Sequence, residues 1–229
     1  GIEKLSTAVP GIHGSAVLLS VHQALSAIDR LEVRGRDSAG VEVQLTGHGL
    51  DPCDPTVIDA LERRSDPTFT SGAARLVDGV LVVVYKAAAE IGELGDNTAA
   101  LRDAIRGDDL LHAALRSEGV TGVVLGHTRW ASIGIVSEPN AHPQSSDEVP
   151  GSTAVVPAEG HFATAVLNGD VDNHAELAAT EGLSPPVEVT CDAKVIPTLW
   201  RRAMLSGSTR PFQAFRETVA RMEGSVAIA

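Results

Sequence analysis

Between Ser15 and Leu31 the apolar residues Val17, Leu18, Val21, Leu25 and Ile28 recur every three or four positions. That spacing lines one face of a helix, and Ser15 stands where a cap belongs. The pattern breaks at "RGRDSAG" (34–40) and resumes as "VEVQL" (41–45), which alternates as a half-buried strand does. Residues 47–75 keep no clean period. Pro52, Pro55 and Pro67 predict loops around a short helix near Thr56–Arg64, in a region read as an insertion or loop. "VLVVVY" (80–85) and "GVTGVVLGH" (119–127) are apolar runs of the kind that form buried strands; between them Leu101, Ile105, Leu111 and Leu115 predict one helix over 97–117, capped by Asn97. After a polar loop ("HPQSSDEVPGST") come "TAVVPA" and the alternating "HFATAVLNGD" (161–170). Helices follow near 174–181, 192–205 and 211–222, with "VEVT" (187–190) and "SVAIA" (225–229) as short strands. Strands and helices are interspersed, with no internal repeat.

Composition removes several functions. The chain is 43% hydrophobic, enough for a real core, and only 3% aromatic, so each aromatic side chain is informative. A net charge of −12, with no run of five Lys or Arg, argues against nucleic acid or an anionic membrane as partner. No stretch approaches the roughly 18 apolar residues of a membrane-spanning helix, and the N-terminus lacks the basic-then-apolar pattern of a signal peptide. Cys53 and Cys191 are too few for a disulfide framework and lack metal-type spacing, so a reducing cytoplasm is the expected compartment.

Four segments put polar groups at the edge of apolar elements: "LEVRGRDSAG" (31–40), "GHTRWASIGIVSEPNAHP" (126–143), "VLNGDVDNHAEL" (166–177) and "TCDAKVI" (190–196). Each has a purely structural reading. Arg34 and Asp37 can pair within a turn, and His127 can be a satisfied core histidine. Asn168-Gly169 is the commonest hairpin turn signal. Asp192 can cap a helix starting at Ala193, and Asn140 and His142 can be loop hydrogen-bonders. No zinc spacing and no phosphate-binding GxxxxGK loop is present.

Taken together and in order, the four segments resemble the class II glutamine amidotransferases, which are N-terminal-nucleophile hydrolases. The wording is that of the glucosamine-6-phosphate synthase branch (glutamine–fructose-6-phosphate transaminases): "LEYRGYDSAG", "HTRWATHG.PSE.NAHP", "HNGIIENH" and "DTEVI". "MEGSVAIA" near the end is similar to that branch's "LEGSYALA". The resemblance covers roughly residues 25–40 and 120–229, and its "HTRW…NAHP" block is highly specific. It implies an α+β fold, a four-layer αββα sandwich with two mainly antiparallel sheets. It also implies a glutaminase that passes ammonia to a sugar-phosphate-type acceptor. No metal or organic cofactor is implied.

Residue by residue, the resemblance implies that Arg129 holds the glutamine carboxylate and Asp192 its ammonium. Asn168 and the Gly169 N–H form the oxyanion hole. Trp130 stands beside the substrate arginine, where it can help close the pocket, with Ser132 and His142 also at the substrate. Arg34 supports the nucleophile's terminus, Asp37 and Ser38 shape that turn, and Asn140 frames the pocket. Three departures concern the pocket's finer shape: Ile133 replaces a usual histidine, Ser132 a threonine and Leu167 a histidine. The nucleophile is the largest departure. The family begins with Cys-Gly-Ile, whereas this sequence opens Gly1-Ile2, and neither Cys53 nor Cys191 has a free amine to act as base. Cys191 reads as a buried filler. Two readings stay open: a cysteine upstream of Gly1, or a domain that has lost its nucleophile and only binds glutamine in a regulatory or assembly role. The domain expectation is one amidotransferase type-2 unit over 1–229, incomplete at both ends. A sugar-phosphate isomerase-type domain is expected beyond Ala229, in a homodimer.

Overall fold

The computed structural model describes residues 1–6, 10–88, 93–149, 153–207 and 210–229. Along the chain run α1 (Ile12–Leu31), β1 (Ser38–Thr46), α2 (Pro55–Glu62), β2 (Ala74–Val77), β3 (Val80–Ala87), α3 (Asp96–Arg106), α4 (Asp109–Ala114) and β4 (Thr121–Arg129). The second half holds β5 (Gln144–Ser145), β6 (Val155–Val156), β7 (Thr164–Ala165), β8 (Leu167–Val171), α5 (His174–Glu181), α6 (Val195–Leu205), α7 (Pro211–Val219) and β9 (Gly224–Ile228). A five-stranded sheet has the order β4-β1-β3-β2-β6, and two short pairs, β5-β7 and β8-β9, form a second layer. All pairings are antiparallel except β2 with β6.

Side-chain alternation divides the large sheet into two unlike faces. Val41, Val43 and Leu45 of β1 and Leu81, Val83 and Tyr85 of β3 join Val17, Leu18, Val21 and Leu25 of α1 and Leu101 and Ile105 of α3 in the main core. Each such leucine contributes about 1.5–3 kcal/mol by leaving water. The opposite face carries Ser38, Gly40, Glu42 and Gln44, flanked by Lys86 on β3 and by His127 and Arg129 on β4. Val82 and Val84 of β3 lie on this face too and pack with Phe69, Ala73 and Phe162, and beside them the contacts to the second layer are polar. Thr164 Oγ1, half-buried, donates to the enclosed Glu42 Oε1 at 2.8 Å, and Arg75 pairs with Asp147 at 2.8 Å with both side chains enclosed. Outside the second layer a separate apolar core joins Leu167 and Val171 of β8 to Leu177 of α5 and to Ile196 and Leu199 of α6, with α7 packed on α6. The layers therefore run α/β/β/α, an α+β fold. Apolar burial fixes each sheet to its helices; the face of the large sheet turned away from the main core combines hydrogen bonds and an ion pair with a small apolar cluster of Val82, Val84, Phe69 and Phe162.

Several local expectations change. The helix over 15–31 starts earlier, after Gly11, so Ser15 lies in its first turn and is not the cap. The single helix over 97–117 is two. It breaks at Gly107-Asp108, where the Asp108 carboxylate caps α4 by accepting Leu111 N–H and also takes Arg64 and Tyr85. Asn97 is not at the cap position, which Gly95 holds; its amide donates to Arg36 O at 2.8 Å. The 47–75 region is loop around α2 up to residue 73, and then enters β2. "VEVT" is not a strand. Val189 N–H turns back to Pro186 O, and the next two N–H groups, of Thr190 and Cys191, are taken by the Asn140 side chain instead of a neighbouring strand. Residues 150–152 of the predicted polar loop lie outside the described residues.

Candidate active site

β1 and β4 pair along their whole length, so Ser38 at the start of one lies opposite Arg129 at the end of the other. This joins the first two sequence segments. Asp37 N–H donates to Arg129 O at 3.2 Å, and the Asp37 carboxylate accepts from Ala131 N at 2.8 Å. The Arg34–Asp37 turn pair does not form; Asp37 is spent on the chain beyond Arg129. The Asn140 side chain staples the third piece in place. Its oxygen accepts Thr190 and Cys191 N–H and its nitrogen donates to Glu188 O, which fixes the approach to Asp192.

The result is a cavity of about 490 Å³ lined by Arg34, His127, Arg129, Trp130, Ser132, His142, Asn168, Gly169 and Asp192, among others. The expected catalytic and substrate residues thus border one space, while Asp37, Ser38 and Asn140 are not among its lining residues. A larger hollow of about 650 Å³ lies elsewhere, over the Arg64–Asp108–Tyr85 network. Its central charges already satisfy each other, so it has less to offer a ligand.

Arg129 and Asp192 are each only 5% exposed, yet among the described residues neither forms an ion pair. Arg129 donates to the carbonyls of Ile133 and Ile135, which curls the following loop around its guanidinium. Asp192 does not cap its helix; Oδ2 accepts Val171 N–H at 2.8 Å. Asn168-Gly169 is not a hairpin turn either. Both sit inside β8, paired with Ala227 and Val226 of β9. Gly169 has φ +126°, and a Cβ there would lie 1.8 Å from Ser225 O, so no other residue fits without moving β9. Trp130 stands at the rim, 75% exposed, between this cavity and an adjoining groove lined by Val33, Arg34 and Leu94. Ser132 Oγ donates to Asp170 Oδ1 at 2.5 Å. Asp170 was missed in the sequence. The available signal was an acid two residues beyond Asn168, on the same strand face.

The histidines are neutral walls. Burial, assisted by the nearby Arg129, lowers His127 to about 4, and burial with His127 and Arg129 holds His142 well below the ordinary imidazole range. Nor is His127 a satisfied core histidine: its Nδ1 is enclosed without a partner among the described residues. Neither cysteine lines the cavity. Cys191 packs in the second core, where burial raises its pKa, the reverse of thiol activation, and Cys53 is exposed.

No protein-family model matches the chain. Among its curated relatives are glutamine–fructose-6-phosphate aminotransferases (isomerizing). That of Neisseria meningitidis serogroup B is 35% identical over 122 residues, covering 52% of this chain and 18% of the relative. That of Bacillus cereus is 30% identical over 206 residues, covering 89% and 24%, and that of Halobacterium salinarum 27% identical over 186 residues, covering 81% and 26%. With the four segments, these relatives support a class II glutamine amidotransferase domain. The chain spans at most about a quarter of the relatives' length. Among solved structures, "structure of the allosteric regulatory enzyme of purine biosynthesis" aligns with 82% of this chain and 34% of its own at a TM-score of 0.41 and 17% identity. Among the described residues, no helix is long and apolar enough to cross a membrane.

Proposed function

We propose that this domain is the glutaminase of a glutamine amidotransferase, hydrolysing glutamine and delivering ammonia to a sugar-phosphate-type acceptor. One observation carries the reading: two buried opposite charges, Arg129 and Asp192, line one cavity and are not spent on an ion pair. Burying a charge without a counter-charge costs several kcal/mol. A zwitterion offsets both costs at once, its carboxylate on the forked guanidinium and its ammonium on the carboxylate. The amino-acid end of glutamine has that form, which leaves its side-chain amide to reach Asn168 and Gly169.

The chemistry then follows. A thiolate attacks the amide carbon and the carbonyl oxygen takes the negative charge. Asn168 Nδ2 and Gly169 N–H stabilise that oxyanion, a contribution of about 3–4 kcal/mol per donor in comparable sites. The α-amino group of the nucleophilic cysteine takes the thiol proton and passes it to the departing nitrogen, so the C–N bond breaks and ammonia leaves; water then adds to the thioester carbonyl, releasing glutamate and restoring the thiol. In this reading the thiol belongs to a cysteine upstream of Gly1. The acceptor domain lies beyond Ala229 in the same polypeptide, in a dimeric cytoplasmic enzyme.

The test is glutamate release from glutamine by the protein of the complete reading frame, with calorimetric glutamine binding by the present chain. Arg129→Ala is expected to weaken that binding; unchanged affinity counts against the assignment. A covalent adduct with a glutamine-analogue electrophile at an N-terminal cysteine supports the hydrolase. Glutamine binding with neither adduct nor glutamate release favours a regulatory binding module instead.

A further inference from the structure

β8 pairs with β9 through alternate residues: Val166 and Ala229 exchange hydrogen bonds, and Asp172 N–H reaches Glu223 O. By that alternation the N–H groups of Leu167, Gly169 and Val171 leave on the other edge. The first is accepted by His142 Nδ1 at 3.2 Å and the third by Asp192 Oδ2 at 2.8 Å. Between these two brackets lies Gly169, which lines the cavity, and the same alternation turns its N–H away from β9.

His142 is built to hold still. It is 4% exposed, its ring lies against His127 at 4.4 Å between centroids, and its carbonyl rests on the bare face of Gly40, where a Cβ would come within 1.9 Å. Because Nδ1 accepts, the ring proton sits on Nε2. Nε2 is itself enclosed, without a partner among the described residues. Neither ring nitrogen is therefore offered to a ligand: one is occupied and the other sealed.

We infer that His142 is a positioning residue, whose Nδ1 fixes Leu167 N–H and so aims the neighbouring Gly169 N–H into the cavity. This departs from the substrate contact expected from sequence. Its catalytic consequence rests on the glutaminase reading; its geometry does not.

Three variants test it. His142→Asn places an oxygen where Nδ1 was, His142→Gln places its polar end near Nε2 instead, and His142→Leu removes both. In the complete protein, His142→Leu and His142→Gln are expected to lower kcat about 10- to 100-fold, with glutamine KM within about twofold of the unsubstituted protein. His142→Asn is expected to recover kcat to within about threefold. In the present chain, amide hydrogen exchange at Leu167 should accelerate in the Leu and Gln variants and not in Asn. A raised KM at unchanged kcat would make His142 a substrate contact and overturn the inference. So would equal kcat in the Asn and Leu variants. If the unsubstituted protein releases no glutamate, the function falls instead, and exchange decides the geometry: unchanged Leu167 protection in His142→Leu overturns it. Should the Leu variant not fold, the Asn–Gln contrast carries the same test.

Discussion

Asp192→Asn separates what the carboxylate does for the fold from what it does for a ligand. The fold uses one oxygen, Oδ2, to accept Val171 N–H at 2.8 Å. Asparagine is the same size and keeps an oxygen for that bond, so β8 should hold its place and unfolding free energy should change by less than about 1 kcal/mol. The ligand loses a full charge. At about 4 Å an ammonium–carboxylate attraction is worth on the order of 4 kcal/mol near a protein surface. A single hydrogen bond to a charged group is worth about 1.5–3 kcal/mol. A loss of about 2–4 kcal/mol corresponds to a glutamine dissociation constant raised about 30- to 1000-fold. Calorimetric titration with glutamine measures the affinity, and urea denaturation of the same samples measures the fold. Asp192→Ala should show both losses, since it also strands Val171 N–H. Glutamine bound equally well by the Asn variant would refute the zwitterion argument. A large stability loss in Asn would show instead that the charge, and not the acceptor oxygen, holds β8.

Gly169→Ala meets Ser225 O across the strand pair and an unfavourable positive φ, and should cost about 3 kcal/mol or more, read as a lower urea midpoint; an unchanged midpoint would mean β9 is looser than described. Asp147→Ala removes the carboxylate facing the fully enclosed Arg75 guanidinium, and about 3–5 kcal/mol should be lost, while Arg75→Met with Asp147→Leu should recover most of it. Lys86 is enclosed, with its Nζ unpartnered among the described residues, and burial lowers it to about 7 from an ordinary 10.5. From about pH 7 to 10.5 the unfolded chain therefore holds a proton that the folded chain has released, and stability should rise with pH across that window. Lys86→Met should flatten the rise, leaving the smaller contribution of Lys194, which burial lowers to about 8; an identical pH profile would refute the shift.

The sequence by itself determined, through local periodicity, the buried stripe of α1, the apolar run of β3 and the helices after residue 174, whereas β4, expected as a buried strand, forms at the sheet edge with Val123 exposed and only Arg129 buried. Its four polar segments also named the residues around one cavity, because side-chain chemistry is written directly in the chain. What it left open depends on partners remote in sequence. "VEVT" has strand chemistry, but the backbone groups that follow it are claimed by Asn140, fifty residues earlier. Asn168-Gly169 carries a turn signal, but pairing with β9 draws it into a strand, and only that pairing decides which N–H groups turn toward the cavity. The opposite charges of Arg129 and Asp192 are legible in the sequence. That they are buried together and unspent is a property of the tertiary structure, since burial and ion pairing depend on distance in space, which spacing along the chain does not fix.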